Sequence, residues 1–367
     1  MPIIAQFGSR IFFPYFVIKE GTMSYPMYLP QRGKRDFQGN TILAADIGGT
    51  KTSLGLFEVH GDTLSLLREA TVPSKAHATF EEIVTKFLEE NTAVPSTLSI
   101  GVAGPVLDNR VKLTNLAWEF DGSLLERDLG IDRIVLINDL EATAYGLVGL
   151  APEDMATVFD QDGIPPGNMT ILAPGTGLGE AGLFWDGEAY RPFATEGGHS
   201  DFAPRTAIDL ELHAHLEGEG ATVSWEHVVS GPGIYRIYRF LRDVKGHKEP
   251  GWLTENFKND SNPAAVISHA AMRELDATCV KTMELFVGYM AREATSLVLK
   301  HKATGGLLLG GGIPPRIYPL LRSELFRQQF IRNSRMAELL EAVPIKVILN
   351  SKAALIGAAY FGAYGRY

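Results

Sequence analysis

Three short apolar runs in this chain each lead directly into a glycine-rich turn, and this repeated pattern constrains the fold more than any other feature. The turns are Asp46-Ile47-Gly48-Gly49-Thr50, Pro174-Gly175-Thr176-Gly177-Leu178-Gly179 and Gly310-Gly311-Gly312. Apolar runs bounded by turn residues are typical of buried β-strands. Because glycine has no Cβ, its backbone amide can approach a phosphate group closely. Each turn alone fits either a tight connection or an anion site.

The rest of the chain alternates between strand and helix patterns. Strands are predicted at 42–46, 53–59, 98–102, 134–137, 169–173, 182–185 and 307–309, and helices over 80–90, from Asp139 onward, around 283–297 and over 351–360. This alternation predicts an α/β fold. Ligands of such folds bind where strands end, and the polar clusters of this chain lie at such ends.

Composition limits the possible classes of protein. The 367 residues suffice for two domains. A formal net charge of −9 argues against nucleic acid as a main partner. The single cysteine, Cys279, excludes an intramolecular disulfide, so we expect a cytoplasmic location. No apolar run approaches the ~20 residues that cross a bilayer, so we expect no membrane association.

Residues 1–40 form an N-terminal extension of unknown role. Their apolar stretch at 11–18 is short and is interrupted by Pro14, which does not fit a signal peptide. The extension either packs on the body of the protein or remains separate from it. Met23 within it could be an alternative start.

The glycine-rich turns have specific alternatives. Asp46 could hold the hydrated Mg²⁺ that accompanies ATP, or it could simply belong to a hairpin turn. Gly177, Gly179 and Gly182 match the dinucleotide fingerprint, but that fingerprint requires a helix immediately afterwards, and the following residues predict a strand. The chain has no P-loop sequence. The third turn could let an adenosine lie flat on the backbone, or could be only a tight turn.

Charged residues cluster at other strand ends. Asn138 and Asp139 either cap a helix or place a general base in a cleft. Glu196 and His199 flank two glycines, which suits a polyhydroxylated ligand or a surface turn. Glu226 lies between apolar residues, where an acid is either paired or functional. His213 and His215 favour an exposed helix over a metal site.

Six motifs then occur in a characteristic order: ADIGGTKT, INDLEATAYG, APGTGLGEAG, TEGGHSDFAP, WEHVVSGPG and LGGGIPPRI. Together they resemble the bacterial-type glucokinases of the actin and hexokinase superfamily, over about residues 42–362. The resemblance implies an actin-like, ribonuclease H-like fold with two α/β domains and a central cleft. It places a small domain at 41–140 plus 351–367 and a large domain at 141–350. It also implies a homodimer.

The resemblance further implies phosphorylation of the 6-hydroxyl of glucose by ATP, with Mg²⁺. Asp139 then matches the catalytic base, which also contacts the substrate. The matching sugar-binding residues are Asn138, Glu196, His199, Glu226 and, by position, Asn115. The matching nucleotide-binding residues are Asp46, Gly48, Gly49, Thr50, Lys51, Gly175, Thr176, Gly177, Gly310, Gly311 and Gly312, with Mg²⁺ held by Asp46 through water.

Several alternatives stay open at this stage. The sugar could be another hexose, such as mannose or an N-acetylated amino sugar, and the donor could be polyphosphate. With a single cysteine the chain cannot carry the cysteine-rich zinc motif of a related branch. A sugar-responsive regulator is disfavoured, because residues 1–40 contain four prolines and no helical periodicity. An actin-like assembly protein would not need Glu196, His199 or Glu226.

Overall fold

A computed structural model describes residues 25–33, 40–89, 95–113, 116–161, 166–218, 222–260 and 262–365. The strands of this part of the chain are β1 (Thr41–Ile47), β2 (Lys51–His60), β3 (Thr63–Pro73), β4 (Thr97–Val102), β5 (Arg110–Lys112), β6 (Glu119–Asp121), β7 (Arg133–Asn138), β8 (Met155–Phe159), β9 (Met169–Pro174), β10 (Leu178–Trp185), β11 (Tyr190–Thr195), β12 (Gly306–Leu309) and β13 (Ile345–Ile348).

The α-helices of the same part are α1 (Phe80–Glu89), α2 (Gly122–Leu129), α3 (Asp139–Gly146), α4 (Ala207–Glu217), α5 (Trp225–Val228), α6 (Gly231–Asp243), α7 (Gly251–Asn259), α8 (Pro263–Met272), α9 (Ala277–His301), α10 (Tyr318–Leu321), α11 (Glu324–Ile331), α12 (Ala337–Glu341) and α13 (Ala353–Tyr364). None of the helices described is long and apolar enough to cross a membrane.

The first sheet has five strands in the order β3-β2-β1-β4-β7. Strands β1, β4 and β7 are parallel, while β1, β2 and β3 are joined by antiparallel hairpins. The predicted strands on either side of the first glycine turn are confirmed as β1 and β2. Asp46 lies beside Gly101 of β4, and Val102 of β4 lies beside Asn138 of β7. The polar residues Asp46 and Asn138, at the ends of β1 and β7, therefore lie at the same end of this sheet, with β4 between them.

The second sheet has six strands in the order β11-β10-β9-β12-β13-β8. Strands β9, β12 and β13 are parallel, and β10 runs antiparallel to β9. The backbone N–H of Gly310 donates to the carbonyl of Leu172, at 2.9 Å, where β12 ends beside β9. The second and third glycine-rich turns, which are 135 residues apart between Gly175 and Gly310, are therefore neighbours in space.

Helices α3 and α13 pack closely against each other, and their side chains share one buried cluster with both sheets. Glycine permits this close approach at two positions. A Cβ on Gly357 of α13 would lie 1.7 Å from the carbonyl oxygen of Ala142. A Cβ on Gly146 of α3 would lie 2.0 Å from that of Ala353. The pair of helices consequently fixes where α3, and the residue that begins it, lies between the sheets.

Helix α9 crosses the core on the other side of the second sheet. The predicted periodicity is confirmed, because Met283, Phe286, Met290, Ala294 and Leu297 are all at most 2% exposed. Two charged residues, Arg292 and Glu293, are buried on the same helix. Charged residues are rarely buried unless they are paired or neutralised.

The described part of the N-terminal extension packs on the body. Residues 25–33 lie along β11, where the N–H of Tyr28 donates to the carbonyl of Tyr190 at 2.9 Å. The N–H of Gln31 donates to the carbonyl of Tyr364 at the end of α13, at 3.0 Å. Met27 and Leu29 are 6% exposed and belong to the cluster shared by both sheets. Met23 lies outside the described residues.

Candidate active site

The turn between β1 and β2 is a short hairpin held from outside by Ser74. The N–H of Gly48 donates to the carbonyl of Lys51 at 2.9 Å. The hydroxyl of Ser74 donates to the carbonyl of Gly48 at 2.9 Å, and the N–H of Ser74 donates to that of Thr50 at 3.0 Å. Thr50 and Lys51 are exposed at the tip. The turn is thus rigid at its base and accessible to a ligand at its tip.

Two carboxyl groups face each other beyond this turn. Asp46 is next to last in β1, and Asp139 is the first residue of α3. Burial raises the pKa of Asp46 to about 7, with repulsion from Asp139 adding to the shift. Burial also raises the pKa of Asp139 to about 6, partly offset by the N–H of Leu140, with repulsion from Glu196 as a further cause. Carboxyls of this kind in a cleft are typical of functional sites.

Asn138 is the N-cap of α3. Its Oδ1 accepts from the N–H groups of Leu140 and Glu141, at 2.8 and 3.3 Å, and its Nδ2 donates to the carbonyl of Gly104 at 3.2 Å. The capping interpretation of this residue is therefore confirmed, and its contact with a sugar stays a prediction. The cap fixes the first turn of α3 and so holds Asp139 in place.

Glu196 and His199 lie on one short turn, in which Gly197–His199 form a 3₁₀-helix. His199 Nε2 is 3.9 Å from Glu196 Oε2, and the two side chains are 64% and 49% exposed. Gly198 is buried, and a Cβ there would lie 2.2 Å from the carbonyl oxygen of Leu178. The glycines let the turn press against β10 while both polar side chains stay accessible.

Glu226, in the short helix α5, is paired with the second glycine-rich turn. Its Oε2 accepts from the N–H of Leu178 at 2.9 Å. A Cβ on Gly177 would lie 2.6 Å from the same oxygen. The carbonyl group of Leu178 also lies against Gly198. The start of β10 therefore contacts both Glu226 and the turn that carries Glu196 and His199. Three of the predicted sugar-binding residues, Glu196, His199 and Glu226, are therefore brought together around the start of β10.

The second turn is tied to the third turn and to α6. The N–H of Gly231 donates to the carbonyl of Gly175, and that of Gly175 to the carbonyl of Gly177, both at 2.8 Å. Gly311 has a φ of +77°, and a Cβ there would lie 2.6 Å from the carbonyl oxygen of Pro174. The second turn continues as strand β10, which does not fit the dinucleotide fingerprint.

A cavity of about 620 Å³ opens between these turns and the helices that follow. Thr50, Gly175, Thr176 and Gly312 line one side of it. This is large enough for a nucleotide-sized ligand. Residues from all three glycine-rich turns, although distant in sequence, thus share one cavity.

Sequence reasoning missed four further residues that line the cavity. They are Tyr235 of α6, Asn262 at the start of α8, Ser268 within α8, and Arg316. Arg316 follows the third turn within GGGIPPRI, so its proximity to that turn was a usable signal. The other three belong to no recognisable motif and reach the cavity only through tertiary packing. Asn115, which was predicted near the sugar, lies outside the described residues.

Comparison with known proteins shows which family the chain is similar to. A family model described as glucokinase matches residues 43–364. The glucokinase of Nostoc punctiforme is 39% identical over 336 residues, which cover 88% of this chain and 98% of that protein. A glucokinase structure from an Antarctic psychrotroph is 29% identical, with a TM-score of 0.74, covering 89% of this chain and 99% of that one.

A glucokinase of the ROK family from Streptomyces griseus shares the fold at 21% identity, with a TM-score of 0.60, and the match covers 88% of this chain and 99% of that one. The predicted α/β, actin-like fold is confirmed by these likenesses. The family match spans all of the site residues described above. The chain therefore belongs to the glucokinase family.

Proposed function

We propose that this chain transfers the terminal phosphoryl group of ATP to the 6-hydroxyl of glucose, giving glucose 6-phosphate and ADP, with Asp139 as general base. One observation carries the proposal: Asp139, the first residue of α3, interacts electrostatically both with Asp46 of the first glycine turn and with Glu196 of the predicted sugar-binding turn. A carboxylate at that position lies between the two sites that phosphoryl transfer must join.

The electrostatics of Asp139 suit a base. Its pKa of about 6 leaves it ionised at neutral pH, yet close enough to the operating pH to accept a proton effectively. The cap at Asn138 and the packing of α3 on α13 restrict its position. Such restriction supports catalysis by proximity.

The sugar would be held by Glu196, His199 and Glu226, with Asn138 and Asn115 as further contacts. Carboxylates accept hydrogen bonds from sugar hydroxyls, and an imidazole can donate or accept. The exposed side chains of Glu196 and His199 leave that capacity available. Glu226 also accepts a hydrogen bond from the N–H of Leu178 in the second glycine-rich turn. The same side chain would therefore contact both glucose and the turn that binds phosphate.

ATP would lie in the cavity between the three glycine-rich turns. Its phosphates would meet Gly48, Gly49, Thr50 and Lys51 on one side and Gly175, Thr176 and Gly177 on the other. Its adenosine would lie along Gly310, Gly311 and Gly312. The Streptomyces griseus protein was solved with glucose and AMPPNP, an ATP analogue, which supports this choice of donor.

Mg²⁺ fits the surroundings of Asp46. Repulsion from Asp139 adds to the cost of ionising the buried carboxyl of Asp46, and a cation would relieve that cost. Asp46 would hold the ion through water, and the ion would neutralise charge on the phosphates. From the resemblance we also propose a cytoplasmic homodimer, with a small domain at 41–140 plus 351–367, a large domain at 141–350 and an N-terminal extension at 1–40.

A matrix of sugars and donors on the purified protein tests the function. Glucose, mannose and N-acetylglucosamine are each combined with ATP or polyphosphate, with Mg²⁺ present or chelated. We expect the highest kcat/KM for glucose with ATP and Mg²⁺, and glucose 6-phosphate as the product. A higher kcat/KM for another sugar or for polyphosphate would replace this proposal by one of the alternatives.

A further inference from the structure

Two buried glutamates interact with each other, and one of them contacts the turn that carries Glu196 and His199. Glu180 is in β10 and is 2% exposed, and Glu293 is in α9 and is 0% exposed. Neither has been assigned a role in the site described above. Since buried carboxyls are costly unless they are paired or neutralised, their retention here calls for a physical reason.

Glu180 contacts the turn itself. A Cβ on Gly197 would lie 2.0 Å from Glu180 Oε2, so the carboxyl group presses against the underside of that glycine. Glu180 is paired with Thr195 of β11 in the sheet. The hydroxyl of Thr195 donates to the carbonyl of Glu180 at 3.2 Å and accepts from the N–H of Gly197 at 3.3 Å. Both the side chain and the backbone of Glu180 therefore contact the start of the turn, at Gly197 and Thr195.

Glu293 in turn contacts Glu180. Their carboxyl groups are within hydrogen-bonding reach of each other. Within the described part of the chain, no group donates a hydrogen bond to either carboxyl oxygen of Glu293 or to Oε1 of Glu180. Two carboxylates cannot donate to each other, so a hydrogen bond between them requires a proton on one of them.

The charges around the pair favour retention of that proton at neutral pH. Burial, followed by repulsion from Glu180, raises the pKa of Glu293 to about 9, although Lys300 and Arg205 act in the opposite direction. Burial raises the pKa of Glu180 to about 7, with Lys300 and the hydrogen bond to Glu293 acting against it. The charged groups that act on the pair are thus Lys300 of α9 and Arg205 of the segment preceding α4. The pair therefore keeps one proton well above pH 7.

We propose that Glu293 is a positioning residue for glucose: by sharing a proton with Glu180 it holds the turn that carries Glu196 and His199. When the pair loses this proton, the two negative charges repel each other and displace the turn. The sugar is then bound more weakly, while Asp139 and the phosphate turns are unaffected. This inference rests on the proposed function, because it concerns the sugar side of the same site.

The main test is Glu293→Gln, whose amide still donates to Glu180 but cannot be deprotonated. For the wild-type protein we expect the KM for glucose to rise roughly threefold or more between pH 8 and pH 9.5, as the pair loses its last proton. The kcat at saturating glucose stays within about twofold, because only binding of the substrate is affected. In Glu293→Gln we expect the KM to stay flat over this range.

Unfolding provides a readout that is independent of activity. An acid whose pKa is raised in the folded state binds its proton more tightly there than in the unfolded chain. The free energy of unfolding therefore falls as pH rises from the unfolded pKa towards about 9. Glu293→Gln removes this contribution, so we expect its stability relative to wild type to be higher at pH 9 than at pH 6.

Glu284→Gln is the matched control, because Glu284 lies on the same helix but is exposed and paired with Lys281. It should leave both pH dependences unchanged. If Glu293→Gln retains the wild-type rise in KM, or if it raises KM equally at every pH, the inference is overturned. Should Glu293→Gln fail to fold, Glu180→Gln, which keeps a donor to Glu293, is measured in the same way against the same outcomes. A wild-type protein inactive on glucose at pH 7 would instead overturn the proposed function.

Discussion

At the scale of single residues, glycines decide how closely the parts of the site approach each other. A Cβ on Gly177 would meet the end of the Glu226 side chain, whereas a Cβ on Gly198 would meet the backbone carbonyl of Leu178. A side-chain end can move aside at little cost, but a backbone group cannot. The two glycines are therefore required for different reasons, one for ligand binding and the other for folding.

Gly177→Ala should weaken glucose binding with little loss of stability. The new Cβ would lie 2.6 Å from Glu226 Oε2 and would displace that carboxyl from the N–H of Leu178. We expect the KM for glucose to rise about tenfold, the equivalent of one lost hydrogen bond. Steady-state kinetics and thermal melts of the variant test this. Gly251→Ala is the control, since a Cβ there meets nothing within 4 Å.

If Gly177→Ala leaves the KM unchanged, Glu226 does not contact the sugar. Gly198→Ala, by contrast, should lower the yield of folded protein, because the carbonyl of Leu178 is held in β10 and cannot yield.

At the scale of secondary structure, the α3 and α13 helix pair positions the base. Asp139 begins α3, and α3 is held against α13 by backbone contacts that only glycine allows at Gly146 and Gly357. The sequence predicted an alanine-rich closing helix at 351–360, and the structure has it at Ala353–Tyr364. Its pairing with α3, about 210 residues earlier, is a tertiary contact that no local pattern records.

The difference between local patterns and tertiary contacts explains how much of the fold and of the site could be predicted from the sequence. Strands β1, β7, β9 and β12 and the polar residues at their ends were predictable, because apolar runs and turn residues are local signals. Asn138 shows the limit of such local signals. A helix cap and a sugar-binding residue give the same sequence pattern, so the sequence does not distinguish between them. Tyr235, Asn262 and Ser268 were not predictable, because folding alone brings α6 and α8 to the cavity.

Gly357→Ala should affect both stability and catalysis. A Cβ there would lie 1.7 Å from the carbonyl oxygen of Ala142, so α3 and α13 must separate. We expect the free energy of unfolding to fall by about 1–3 kcal/mol, as in other overpacked cores. Because α3 carries Asp139, kcat should fall as well. Urea unfolding and kinetics measure the two effects, again with Gly251→Ala as control. A fall in stability with unchanged kcat would show that α13 does not position the base.

At the scale of the whole molecule, one buried cluster joins both sheets, helices α3 and α13, and the described part of the N-terminal extension. Met27 and Leu29 enter this cluster from the extension. Arg191 of β11 stacks on the ring of Tyr28 at 3.5 Å, which adds a cation–π contact outside the cluster. Residues 25–33 lie before the family match, which begins at residue 43, yet they complete the core of the family fold.

Leu29→Ala tests this contribution. Leu29 is 6% exposed, and its truncation would leave a cavity where the extension meets both sheets. We expect a loss of about 2–4 kcal/mol in the free energy of unfolding, measured by urea titration. Leu67→Ala is the control, since Leu67 is 47% exposed and its truncation should cost less than about 0.5 kcal/mol. Equal effects of the two variants would mean that the extension is not part of the core.

The central claim is that Asp139 removes a proton from glucose that is held by other residues. Asp139→Asn tests it most directly, because the amide keeps the shape of the side chain and can still accept from Leu140. Turnover and glucose affinity are measured on the same preparation, with Asp128→Asn, an exposed aspartate, as control. We predict that kcat falls about 10²–10⁴-fold while the Kd for glucose changes only a few-fold. Near-normal turnover, or loss of glucose binding in parallel with turnover, would contradict the account.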